Sequence, residues 1–139
     1  MKELNNEELL KLIKTDVEDF NAYRKEYPNQ EIDFSGANLY KANLVDANLE
    51  GANLYKANLR WAYLRWANLK EAYLYDANLT GANLVDANLT DANLTVANLT
   101  VANLSGINLT VANFSGVHLS NASITLTKDN LEAIKGCRL

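Results

Sequence analysis

A chain of 139 residues carrying a formal charge of −4, 48% hydrophobic residues and one proline has the length of one domain and a composition compatible with a compact soluble protein. No apolar run approaches the ~18 residues of a membrane span, and Cys137, the only cysteine, excludes an intramolecular disulfide or a cysteine-based metal cluster. Residues Met1 to Glu8 hold no apolar core of a secretion signal, so a cytoplasmic protein is expected.

Residues 1–31 read as a helical prefix. Asn6 can cap a first helix through Glu7, Leu9, Leu10 and Ile13, and Thr15 with Glu18 has the spacing of a capping box for a second. Val17, Phe20, Tyr23 and Tyr27 give that second segment one apolar side, and Pro28 stops it. One bent helix and two separate helices fit this pattern equally.

From Ile32 to Leu126 the chain consists of nineteen consecutive five-residue units, most of them Ala-Asn-Leu-x-x, without insertion or deletion. The middle residue is always large and apolar: Phe34, then Leu from Leu39 to Leu109, then Phe114, Leu119 and Ile124. Two places earlier stands a small apolar residue, nearly always Ala, with Ile32, Ile107 and Val117 as bulkier exceptions. A helix advances about 100° per residue, so a period of five would rotate the large residue by about 140° each time and leave no apolar stripe. A flat strand fails too, because five is odd and successive large residues would face opposite ways. All of them point inward only if the chain turns after each unit and coils about a common axis, as a solenoid.

Asn precedes the large residue from Asn38 to Asn113, interrupted by Tyr63 and Tyr73 and replaced at the ends by Asp33, His118 and Ser123. A short amide at every bend reads as turn chemistry. The Ala-Asn-Leu units resemble the pentapeptide-repeat family. That resemblance implies a right-handed, quadrilateral parallel β-helix, one unit per side and four per coil. Four full coils would then begin at Ile32, Ala52, Ala72 and Ala92, with a partial fifth from Ala112, forming a rod roughly 20 to 25 Å long at strand spacing. Phe34, Leu54, Leu74, Leu94 and Phe114 fall in one interior column with aromatic plugs at its ends. The prefix also resembles a lead-in of this family, carried here by Phe20, Asn21, Tyr23, Arg24 and Pro28 before Asp33-Phe34-Ser35-Gly36-Ala37. Since the first coil exposes an unpaired edge, Phe20, Tyr23 and Tyr27 are expected to form its lid.

Residues 127–139 supply the opposite lid. Thr127 can cap a short helix through Lys135, with Leu131 and Ile134 on the inner side and Gly136 as its stop. Some DNA-mimicking members of the family pair through their C-terminal ends, and outward Val96, Val101 and Val111 lie beside this lid, so the expected state is a monomer or an end-to-end homodimer.

The least repetitive exterior lies in the second and third coils, where Tyr55, Arg60, Trp61, Tyr63, Arg65, Trp66, Tyr73 and Tyr75 concentrate aromatic and basic side chains. A register of twenty places Tyr55 beside Tyr75, Arg60 beside Tyr40, Lys41 beside Trp61, Glu50 beside Lys70 and Lys56 beside Asp76. These residues serve either as ladders between coils, as a protein-contact surface, or as a platform for single-stranded nucleic acid. Duplex DNA and its mimicry fit poorly, because Asp46, Glu50, Glu71, Asp76, Asp86 and Asp91 are interspersed with Lys and Arg. Binding to gyrase with protection from quinolones is therefore the secondary implication of the resemblance.

Enzymatic chemistry has no foothold. His118 occupies a bend, the hydroxyls of Thr80, Thr90, Thr95, Thr100, Thr110 and Ser105 lack a base and read as ladder residues, and no glycine-rich phosphate loop exists. No cofactor or metal is expected. The sequence points to a nonenzymatic scaffold binding a protein partner.

Overall fold

The chain turns a corner every five residues, and the hydrogen bonds of one unit show why it can. In the unit Ala57 to Trp61, the Ala57 N–H closes the preceding corner on the Leu54 carbonyl at 3.0 Å. Asn58 donates back to Ala37 O in the earlier coil at 2.9 Å, while Leu59 and Trp61 donate forward to Asn78 O and Thr80 O at 2.7 and 2.9 Å. That leaves the Arg60 N–H, which donates to Oδ1 of Asn58 at 3.2 Å. Every N–H of the unit is thereby satisfied, as backbone removed from water requires.

This computed structural model describes residues 2–125, 127–135 and 137. Helices α1 (Asn6–Thr15) and α2 (Val17–Glu26) precede the coils, and α3 (Lys128–Ala133) follows them. Parallel one-residue bridges run at a constant offset of twenty from Asp33 with Asn53 to Asn98 with His118. Near the end, β1 (Asn103–Leu104) pairs in parallel with β2 (Ser123–Ile124) in the same register. The result is a four-sided parallel β-helix with four units per coil. We number its faces by the apolar columns beginning at Phe34, Leu39, Leu44 and Leu49. The expected end of the repeats at Leu126 and the helix stop at Gly136 lie outside the described residues.

The interior is apolar and closed to solvent. Phe34, Leu54, Leu74, Leu94 and Phe114 are all buried, as are the Leu columns of the other faces and the Ala residues from Ala47 to Ala102. Each buried Leu stabilises by roughly 2 kcal/mol before chain entropy is subtracted. Phe20 closes the bottom of the first column, its ring centroid 6.2 Å from that of Phe34.

Corners carry the strain. From Gly36 to Asn121, the second residue after each apolar centre has a φ between +53° and +68°; five of these are glycine and the rest carry side chains. With the Leu-to-Ala hydrogen bond across it, each corner is a type II turn, whose third position demands left-handed backbone. Val96, Val101 and Val111 take it at +54°, +54° and +57°, though β-branched residues tolerate it worst.

The N-terminal lid repairs the first coil's open edge with side chains. Asn21 Oδ1 accepts from the Asn48 N–H at 2.7 Å while its Nδ2 donates to Asp46 O at 2.9 Å, much as a preceding coil would. Asn6 accepts from the Asp33 N–H, and Arg24 reaches Glu50 O at 2.7 Å and Gln30 O at 3.0 Å. Burial pulls the Arg24 guanidinium below its ordinary pKa, with Glu50 opposing the shift. Phe20 and Tyr23 are buried as expected, and Tyr27 stacks on Tyr23 with centroids 4.6 Å apart. Tyr23 Oη accepts from the Leu4 N–H and donates to Gln30, whose amide donates to Leu4 O.

Three local expectations change. The prefix is two helices, the first capped by Asn5 in a capping box with Glu8 and the second by Asp16 through the Asp19 N–H, not by Asn6 and Thr15. Asn6 is occupied with Asp33 instead, and the Thr15 hydroxyl donates back to Lys11 O and Leu12 O. In α3, capped by Thr127 as expected, Leu131 is 47% exposed and Asn130 is the inward residue. The coil presents carbonyls there, and only a donor can meet them: Asn130 Nδ2 reaches Thr125 O at 2.8 Å and Ile107 O at 3.4 Å. Ile134 packs partly buried against the core, and Cys137 Sγ donates to Phe114 O at 3.1 Å, its thiol pKa raised by burial.

Leu79→Asp should cost more than about 4 kcal/mol, melting several coils, with the loss of β-sheet circular dichroism at room temperature as the check. Val111→Asn, which relieves a β-branched left-handed residue, should stabilise by about 1 kcal/mol and raise the thermal midpoint by roughly 3 °C. Arg24→Ala leaves two carbonyls unmet and should lower stability by about 2 to 3 kcal/mol in urea unfolding.

Candidate protein-contact surface

In fourteen asparagines from Asn38 to Asn113 the side chain does the same thing, with Oδ1 accepting from the N–H two residues on at 3.0 to 3.3 Å. Asp33 does so for Ser35, and those bonds hold its carboxyl below the usual range. Hydroxyls after the centre reinforce the bend. Thr80, Thr90, Thr95, Thr110 and Ser105 donate to Asn Oδ1 of their own unit at 2.6 to 2.8 Å, rather than forming rungs across coils as expected.

Tyr63 and Tyr73 sit in this Asn column and cannot make the bond, since a phenol offers no acceptor at that reach. The two differ in what replaces it. Tyr73 stacks with Tyr55 and Tyr75 at centroid distances of 6.2 and 6.1 Å, and Tyr55 meets Tyr75 at 5.9 Å as the register predicts. Lys56 completes this cluster 5.3 Å from the Tyr55 centroid, its pKa raised first by the Tyr55 hydroxyl, and bridges to Asp76 at 3.9 Å. Tyr63 has no ring partner among the described residues and is 53% exposed.

The four-sided register divides the expected band in two. Tyr73, Tyr55 and Tyr75 occupy the first face and the corner after it, where they form a closed ladder. Tyr63 lies on the third face, opposite, flanked by Arg60 and Trp61 at one corner and by Arg65 and Trp66 at the other. All five of these residues are exposed and follow one another along one coil.

Tyr40 and Lys41 join the third-face group from the coil below, a place the spacing of twenty between Tyr40 and Arg60 already marks. Arg60 Cζ lies 6.0 Å and Lys41 Nζ 5.2 Å from the Tyr40 centroid, and Arg65 Cζ is 4.0 Å from that of Trp66. Lys41 therefore sits on Tyr40 and not on Trp61. The Trp61 indole folds instead against the next coil, where a Cβ on Gly81 would come within 2.3 Å of Cε3. Trp61 thus has one face committed to the fold, while the Trp66 ring carries the Arg65 guanidinium.

Charge follows the same division. Lys70 reaches Glu50 at 3.6 Å and Glu71 at 3.3 Å, raising its pKa chiefly through Glu71. Of the cations on the coils, Lys56 and Lys70 thus meet carboxylates, whereas Lys41, Arg60 and Arg65 meet none among the described residues. Val96, Val101 and Val111 occupy three corners of the fourth coil and point outward, Val96 partly onto Gly116. His118 takes the Asn place in register with Asn98. Among the described residues no group of His, Cys, Asp and Glu is arranged to hold a metal ion, and no helix is long and apolar enough to cross a membrane.

Known proteins share this architecture. A pentapeptide repeat protein from the Arabidopsis thaliana thylakoid lumen is 32% identical over 73% of this chain and 70% of its own, with a TM-score of 0.66. A pentapeptide repeat protein from Nostoc Pcc 7120 is 33% identical over 86% of this chain and 93% of its own, with a TM-score of 0.54. No curated protein matches. The coils are those of a right-handed quadrilateral β-helix. The family model for pentapeptide repeats matches residues 32–70, 57–95, 72–110 and 97–128, and this chain belongs to that family.

Proposed function

We propose that the protein is a rigid, nonenzymatic module that binds another protein through its third face, with Tyr63, Trp66, Arg60 and Arg65 as the contact residues and Trp61 as both contact and brace. One observation carries this reading: Tyr63 gives up the bend hydrogen bond made by the asparagines of that column and gains no ring contact in exchange. A residue that breaks a local rule without structural compensation is expected where function intervenes. Exposed Tyr, Trp and Arg are also the residues that anchor protein interfaces. The first-face tyrosines, by contrast, brace one another and serve as a ladder between coils.

The fold supports the reading by its stiffness. Hydrogen bonds to the coils on both sides hold the third-face backbone, so its side chains are presented at fixed spacing with little ordering cost on binding.

Tyr63→Asn restores the bend hydrogen bond and should stabilise the protein by about 1 kcal/mol while abolishing capture of its native partner in a crosslinking pull-down from the host. Trp66→Ala should likewise lose capture, with a thermal midpoint within about 1 °C of the parent. Loss of stability with capture intact in both variants would leave the face as a coil brace only.

A further inference from the structure

We infer that the partner presents an acidic, extended segment, whose carboxylates meet Arg60, Lys41 and Arg65 and whose backbone and apolar atoms lie across Tyr63 and Trp66. This inference rests on the third face being the contact surface and adds the chemistry of what binds there. The chain is acidic overall, at −4, yet its coil cations that lack a carboxylate partner among the described residues all border this one face. Each is held over a ring instead: Lys41 and Arg60 over Tyr40, Arg65 over Trp66. An aromatic ring positions a cation without neutralising it, so the guanidinium edges stay open to paired hydrogen bonding with a carboxylate.

The diagonal of the rod has the opposite sign. At the corner after the fourth face stand Glu50, Glu71 and Asp91, with Lys70 already engaged by Glu50 and Glu71. The corner between the second and third faces carries Lys41 and Arg60 and no carboxylate through Val101. An approaching acidic segment is therefore drawn to one corner and repelled from the other, which orients it before contact.

Geometry limits the segment's length and form. Asp46 and Asp86 stand in the corner column that holds Trp66, beside Arg65, so a continuous polyanion meets repulsion there, whereas discrete carboxylates at Lys41 and Arg60, on the corner free of acids, do not. Three cations release too few counterions to hold a nucleic acid backbone firmly. The face is the flat side of a coil, and an extended chain is the form that lies along such a surface with its alternate side chains against it.

Both tryptophans of the chain border this face, so intrinsic fluorescence reads occupancy directly. The probe is a capped ten-residue peptide alternating Glu and Pro, titrated into the full chain, with a Lys-Pro peptide of equal length and a twelve-residue oligothymidylate beside it. The Glu-Pro peptide should give a saturable emission change below ~1 mM, weakening several-fold between about 50 and about 300 mM NaCl. The Lys-Pro peptide should give none. The double variant Lys41→Glu, Arg60→Glu should bind at least tenfold more weakly with its thermal transition retained, since both side chains are exposed. No saturable change, equal affinity in the double variant, or tighter binding of oligothymidylate would each overturn the inference. If the double variant still captures the native partner while Tyr63→Asn does not, the contact face stands and its acidic occupant falls.

Discussion

The bend hydrogen bond from the N–H after each apolar centre to the preceding Asn side chain is the constraint on which the coil depends. A chain that turns after every five residues can give three N–H groups to neighbouring coils and one to the corner itself, as Asn58, Leu59, Trp61 and Ala57 do. The fifth has no backbone carbonyl in reach, and leaving it unmet near the core would cost on the order of 1 to 3 kcal/mol per unit. Asn supplies the acceptor from the only place close enough. The recurrence of Asn is therefore as much a consequence of the fold as the recurrence of Leu.

The same geometry explains where the molecule is under stress and how its ends are closed. A type II corner needs a left-handed third residue, and the chain uses mostly ordinary side chains there because the position faces outward and the coil above and below holds it. Where glycine does occur at a later corner it opens a notch, filled from the coil beneath: Trp61 leans onto Gly81, Asp86 onto Gly106 and Val96 onto Gly116. At the ends no neighbouring coil exists, and side chains must imitate one. Asn21, Arg24 and Asn6 do so below, and Asn130 and Thr125 above, the last through its hydroxyl accepting from the Gly106 N–H at 2.8 Å.

These two kinds of position differ in how far the sequence discloses them. The coils were legible in two steps: a strict period of five with one large apolar residue requires a solenoid, and the four units per coil implied by the family resemblance then stack Leu54 between Phe34 and Leu74. Cross-coil pairs such as Tyr55 with Tyr75 and Glu50 with Lys70 were legible by the same arithmetic. The lids were legible only in outline. Apolar periodicity selects Leu131 as the inward residue, but the coil end offers carbonyls, and hydrogen-bonding need outweighs hydropathy in favour of Asn130. Likewise Asn5 and Asn6 are equivalent as caps until the demand of the Asp33 N–H on Asn6 is known. Trp61 escaped the register for a related reason: a large ring covers more than its own rung, and the notch at Gly81 draws it forward from Lys41.

The aromatic band illustrates how composition alone merges surfaces that folding separates. In sequence, Tyr55 to Tyr75 is one enriched stretch, whereas around a square it wraps one full turn and delivers Tyr73 and Tyr63 to opposite faces. Both tyrosines forgo the same hydrogen bond, which makes them a matched comparison within one molecule. Tyr73 regains contact through two neighbouring rings, so its presence follows from stacking between coils. Tyr63 regains none among the described residues and stands between arginines held only over rings. Since backbone, corner type and place in the unit are common to the two, stacking between coils accounts for Tyr73 and does not account for Tyr63.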